Sequence, residues 1–117
     1  MVIPIFRIFD LEKARSFYID FLGFKIDWRH QYEEGMPLYF QVSLGDAVLH
    51  LSEHHGDAAP GSAIRIKMKE LEKYHSYLSK KDCPYANPAL EKTPWGTKEL
   101  TVIDPFSNRI TFFEELA

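Results

Sequence analysis

Asp10-Leu11-Glu12-Lys13-Ala14-Arg15-Ser16-Phe17-Tyr18 returns 60 residues later as Glu70-Leu71-Glu72-Lys73-Tyr74-His75-Ser76-Tyr77-Leu78. Leu, Glu, Lys and Ser keep their places, and an acid opens both copies. An apolar run precedes each copy, Ile5-Phe6-Arg7-Ile8 and Ala63-Ile64-Arg65-Ile66, and the two runs align with a slip of two residues. A strand and then a helix, written twice in 117 residues, predict two copies of one supersecondary unit.

Each copy reads outward from its helix. Val2 to Phe9 is β-branched and aromatic and predicts a strand. Asp10 is a candidate N-cap for a helix whose Leu11, Ala14, Phe17, Tyr18 and Phe21 recur at helical spacing, with Gly23 as its stop. Phe24 to Tyr32 predicts a strand with Phe24, Ile26 and Trp28 on one face and Lys25, Asp27 and Arg29 on the other. Glu34-Gly35 is a turn, and Leu38–Leu44 and Ala47–Glu53 form a hairpin around Gly45-Asp46. His54 to Gly61 is the linker. The second copy gives a strand at Ser62–Met68 and a helix at Glu70–Lys80. Asp82–Pro94 holds at most a short edge strand, and strands follow at Thr97–Ile103 and Arg109–Glu114 around the turn Asp104-Pro105-Phe106-Ser107-Asn108. The expected architecture is α+β: two tandem βαβββ units, about 1–56 and 61–117, making one domain. Its curved mixed sheet holds a cleft, with helices on the outer face. One unit alone leaves a sheet face bare, so units must pack together within or between chains.

Composition narrows the function. A net charge of −3 and a pI near 5.9 argue against nucleic acid as partner. No apolar run approaches the roughly 18 residues that predict a membrane span, and no basic leader opens the chain. The lone Cys83 cannot close an internal disulfide, which fits a cytoplasmic protein. Nine Phe, six Tyr and two Trp are more aromatic surface than a small core readily absorbs, so some are expected to line a groove or interface.

Phe17-Tyr18 followed by Phe21-Leu22-Gly23-Phe24, in a tandem βαβββ frame, resembles the vicinal-oxygen-chelate superfamily. That superfamily includes glyoxalase I, extradiol dioxygenases, fosfomycin-resistance enzymes and bleomycin-resistance proteins. Asp104-Pro105-Phe106-Ser107-Asn108-Arg109 resembles its D-P-x-G-N turn, with Ser107 in place of glycine, and Phe112-Phe113-Glu114 resembles the F-x-E ending of the bleomycin-resistance branch. The resemblance implies that metal-using members place one His, Glu or Gln on each of four strands. Those positions fall here on Ile3, His50, Ala63 and Thr111. One ligand of four does not hold a catalytic divalent ion, which usually needs three. The expectation is therefore no cofactor and no turnover. His50, His54 and His55 remain as a weak alternative metal set, and Glu114 as a structural marker.

No nucleophile elbow, phosphate loop or dinucleotide fingerprint is present in the sequence. What remains is a groove. Trp28, His30 and Tyr32 on the second strand, Tyr39 and Gln41 on the third, and His50 and Ser52 on the fourth are candidates. Trp95, Glu99, Thr101 and Thr111 come from the second copy. The ligand-binding set is Trp28, His30, Tyr39, His50, Ser52, Trp95, Glu99 and Thr111. Aromatic walls stack planar rings, and Asp27, Glu53 and Glu99 attract cations. The resemblance implies a homodimer with grooves between units of two chains, sequestering a small cationic or aromatic ligand such as bleomycin. The alternatives are a metal-dependent lyase, isomerase or dioxygenase rearranged around His50, and a binder of an unknown metabolite.

Overall fold

A computed structural model describes residues 1–31, 33–81 and 88–116. Its strands are β1 (Ile5–Arg7), β2 (Lys25–His30), β3 (Tyr39–Leu44), β4 (Ala47–Ser52), β5 (Ala63–Lys67), β6 (Glu91–Lys92), β7 (Thr97–Ile103) and β8 (Arg109–Glu115). They form two four-stranded sheets, ordered β1-β4-β3-β2 and β5-β8-β7-β6. In each the first strand runs parallel to the last and the other pairings are antiparallel. The βαβββ unit is thus present twice. The sheet is divided in two rather than continuous. β6, a two-residue edge strand, is all of Asp82–Pro94 that pairs among the described residues; Tyr32 and 82–87, including Cys83, lie outside them.

The repeat is stricter than the sequence alignment suggested. Ile5 pairs with His50 and Arg65 with Thr111, while Arg7 and Lys67 each stand three residues before a helix cap. Ile5 therefore corresponds to Arg65 and Arg7 to Lys67, and the two-residue slip disappears. The slip matched the letters Ile-Arg-Ile and ignored which neighbour each residue pairs with. A strand shifted by two keeps its faces but loses its partners.

The helices cap differently. Asp10 caps α1 (Leu11–Arg15) locally, its carboxylate accepting from the Lys13 amide at 3.0 Å. At α2 (Leu71–Ser79), Glu70 is left-handed (φ 57°) and does not cap with its own side chain. Glu114 of β8 accepts instead from the amides of Glu70 (2.8 Å) and Leu71 (3.3 Å). It ties the start of α2 to β8. The first helix does not stay α to Phe21: Ser16–Phe21 widens into a π-turn that buries Phe17, Tyr18 and Phe21.

The core lies between each sheet's inner face and the helices. Phe6, Phe40, Leu51, Leu100, Ile110 and Phe112 are almost fully buried, each contributing roughly 1.5–3 kcal/mol. The two units meet through their helices. Tyr74 Oη donates to the Leu22 carbonyl (2.7 Å), and Lys81 Nζ reaches the carbonyls of Asp20 (2.6 Å) and Phe21 (3.0 Å). Gly23 is required there: its φ is +87°, and a Cβ would lie 2.8 Å from Tyr77 Oη.

The Asp104–Asn108 turn completes the seam. Asp104 Oδ1 accepts from the amides of Phe106 and Asn108, both at 2.8 Å, and Oδ2 from Tyr18 Oη (2.7 Å) and Asn108 Nδ2 (2.9 Å). Asn108 Nδ2 also reaches the Arg7 carbonyl at 2.9 Å. Burial, then the neighbouring Asp104, push the Tyr18 phenol well above its ordinary pKa. Ser107 takes φ +71°, the conformation a glycine adopts without steric penalty.

Candidate functional site

The outer faces of both sheets lie away from the helices, and the candidate residues collect there. β2 reaches its face by an irregular route. Ile26 pairs with Val42 and Trp28 with Gln41, so Asp27 is an extra residue, a bulge. The strict alternation expected for Phe24–Tyr32 fails at this point. Ile26 packs against the core, while Trp28 and Asp27 both reach the outer face with Tyr39, Gln41, Ser43 and His50.

There Trp28 and Tyr39 stack at 6.1 Å and 14°, and both meet His50 edge-on at 5.2 Å. His54, beyond the end of β4, approaches Tyr39 at 6.4 Å. Trp28 is 44% exposed. Beneath the rings runs a polar chain. Gln41 Nε2 donates to Asp27 Oδ2 (2.9 Å), and His50 Nε2 lies 3.0 Å from Gln41 Oε1. Tyr39 Oη lies 2.6 Å from His50 Nδ1. An ionised carboxylate only accepts, so Gln41 turns its nitrogen to Asp27 and its oxygen to His50. Nε2 then carries the imidazole proton, and Nδ1 accepts from Tyr39. Each cause of titration agrees with this arrangement. The Gln41 hydrogen bond, outweighing desolvation and aided by Ser43 and Lys25, holds the Asp27 carboxyl below its usual pKa. Desolvation lowers that of His50 and, with Asp57 adding to it, raises that of Tyr39.

His30 pairs with Tyr39 at the same face. Ser52 is fully buried. Its hydroxyl donates to Asp57 (2.6 Å) and accepts from the His54 amide (3.0 Å), tying down the loop after β4. Glu53 accepts from the Leu38 amide at 3.1 Å.

The outer face of the second sheet is ionic. Arg65 grips Glu99 through both oxygens (3.2 and 2.7 Å) and lies over the Phe113 ring at 4.5 Å. Thr97 Oγ1 donates to the same carboxylate at 2.8 Å, and Trp95 lies near enough to help lower its pKa. Arg65 foremost, with Thr97 and Trp95 assisting, pulls the Glu99 pKa down to about 2. Trp95 is 70% exposed, and Thr111 bonds Thr101 at 3.0 Å. Arg65 and Phe113 were absent from the sequence-based set. Pairing register was the missing signal: it places Arg65 beside Thr111 and Glu99 beside Phe113.

The residues fit a metal poorly. Ile5 adjoins His50 in the first sheet and, at the matching place in the second, Arg65 adjoins Thr111, so these four strand positions offer one imidazole beside an alkyl chain, a cation and a hydroxyl. Both nitrogens of His50 are engaged, and His50, His54 and His55 do not gather into a group that could hold an ion among the described residues. A cleft of about 1100 Å³ opens elsewhere, at the seam. It runs from Met1, Val2 and the β3–β4 hairpin to Arg65 and Lys73, and its Lys67 and Lys73 are paired with Glu115 and Glu70. No described helix is long and apolar enough to cross a membrane.

Residues 1–117 match the family described as glyoxalase superfamily protein. A bleomycin resistance protein of Geobacillus stearothermophilus is 22% identical over 132 residues, covering 97% of this chain and 96% of the relative. Among solved structures, a bleomycin resistance determinant encoded on the transposon Tn5 superposes with a TM-score of 0.74 at 18% identity, covering 98% of this chain and 97% of the other. A bleomycin-binding protein complexed with bleomycin gives 0.72 at 18% identity, covering 98% of each chain.

Proposed function

The chain belongs to the glyoxalase superfamily along its whole length, and from that premise we propose that it is a bleomycin-resistance-like binding protein that sequesters its ligand without turnover. The observation that carries this reading is the Trp28–Tyr39 stack over a hydrogen-bond-saturated His50. A fixed neutral imidazole with both nitrogens engaged is a floor, not a base or a ligand. Aromatic rings held in register give large contact area at little entropic cost, which suits a planar ligand, and the anionic Asp27 suits a cationic one. The relatives named for bleomycin support that ligand class.

In this reading the chain is one domain of two units, about 1–56 and 61–117, and acts as a cytoplasmic homodimer. Its own two faces lie on separate sheets, with Ile3, Ile5 and Trp28 exposed on the first half and Trp95 and Ile103 on the second. A second copy would close each groove, bringing Trp28, His30, Tyr39 and His50 of one chain opposite Trp95, Glu99 and Thr111 of the other, with Ser52 supporting from beneath. Titration of tryptophan fluorescence with bleomycin tests the ligand, and light scattering tests the dimer. Saturable quenching at one ligand per groove is the expected result. Near-stoichiometric zinc, iron, nickel or manganese in the purified protein would replace this reading with a metal-dependent lyase, isomerase or dioxygenase around His50. Absence of quenching, with no metal, would leave a binder of another metabolite.

A further inference from the structure

Glu99 is the acid best placed to attract a cation on the second face, yet a cation already occupies it. The Arg65 guanidinium meets both carboxylate oxygens and has its Cζ 4.5 Å from the Phe113 ring centroid, an ion pair on one side and a ring on the other. These are the contacts an aromatic guanidine or amidine would seek. The anchor is the more buried partner and the occupant the more exposed. The Glu99 side chain is 13% exposed, Thr97 also hydrogen-bonds it, and Trp95 stands close enough to favour its charged form. The Arg65 side chain is 51% exposed, and both arms of its guanidinium donate to Glu99. At the matching positions of the first half stand Ile5, Tyr39 and Ser52, so nothing in the repeat itself demands the pair.

We propose that Glu99, Phe113 and Trp95 form a subsite for a planar cationic group, guanidinium or amidinium, which Arg65 of the same chain fills until a ligand displaces it. This rests on the binding reading above and deepens it. The ligand is assigned a delocalised cation at one end, and Arg65 sets the threshold it must exceed. A simple ammonium lacks the two parallel N–H groups that the Glu99 carboxylate accepts from Arg65, and competes less well.

The test is benzamidine followed by NMR of the two indole N–H groups, which report Trp28 and Trp95 separately. Arg65→Ala should bind benzamidine about tenfold more tightly than the unaltered protein, with the Trp95 signal moving. Arg65→Gln, which keeps a stem over Phe113 and removes the charge, should move it in the same sense. Adding Glu99→Gln to either should abolish the gain. An Arg65→Ala protein whose Trp95 signal responds no more than the original overturns the subsite, as does a gain that survives Glu99→Gln. Response at Trp28 alone would also reject it while leaving the aromatic face intact. Loss of bleomycin binding by the unaltered protein is a separate result and bears on the proposed function instead.

Discussion

On one backbone the two outer faces carry opposite chemistries. Ile5, Tyr39 and His50 stand in the first sheet where Arg65, Glu99 and Thr111 stand in the second. The first triplet is neutral, an alkyl chain beside two aromatic rings whose polar atoms are joined in a chain that ends on Asp27. The second is an ion pair backed by hydroxyls. The inner faces, in contrast, are alike: Phe6 answers to Ile66, Leu51 to Phe112 and Phe40 to Leu100, all apolar. A repeated unit thus keeps its packing while its outer face diverges, because the helix-facing side chains answer to the core and the others do not.

The hardest way to break this comparison is to part the halves. Asp104→Ala removes the acceptor of four hydrogen bonds from a buried turn and strands Tyr18 Oη. A loss of about 3 kcal/mol or more is expected in urea unfolding, since the abandoned donors are buried. A loss below 1 kcal/mol would mean that water replaces Asp104 freely.

Next comes affinity. Trp28→Ala and Trp95→Ala should each weaken bleomycin binding by about 1–3 kcal/mol, read by calorimetry. Trp28, stacked on Tyr39, should stand at the upper end and Trp95 at the lower. Equal binding by both variants and the parent would remove the aromatic face from the proposal.

The caps offer a smaller contrast. Asp10→Ala should cost about 1 kcal/mol, a local cap lost. Glu114→Ala should cost as much and should also weaken amide protection at the start of α2, because its carboxylate ties that helix to β8. Hydrogen exchange confined to Leu71–Tyr74 in the second variant, and to the first turn of α1 in the other, would sharpen the difference.

Acid distinguishes the faces last and most gently. The folded His50 binds its proton below the usual 6.5, so its contribution is whole above that pH and is lost as pH falls through the lower folded value. Glu99 keeps its charge much further down: its contribution is whole above 4.5 and is lost only as pH nears about 2. NMR titration should find the His50 ring changing first, with the Arg65–Glu99 pair intact. The reverse order would contradict the assigned hydrogen bonds.

Much of this was legible in the sequence. The twice-written helix, the Gly45-Asp46 hairpin and the Asp104–Asn108 turn announced both units and their order. The outer-face residues were harder to read. One inserted residue at Asp27 leaves alternation intact on either side and reverses it across the gap, so Trp28 and Ile26 read as neighbours on one face. Arg65 and Glu99 are 34 residues apart, and only the pairing of β5 with β8 and of β8 with β7 brings them together. Ser107 was legible as a substitution but not as a left-handed residue.

The Tyr18–Asp104 bond joins points 86 residues apart, close to three-quarters of the chain. A contact of such reach carries a large loop-closure entropy and forms once both sheets exist to aim it. It therefore belongs to the end of folding and acts as a latch on escape: it lengthens the life of the assembled pair and leaves each half to find its shape unaided. Stopped-flow kinetics of Asp104→Asn should show faster unfolding at an almost unchanged refolding rate. Refolding slowed by the same factor would place the latch in the nucleus.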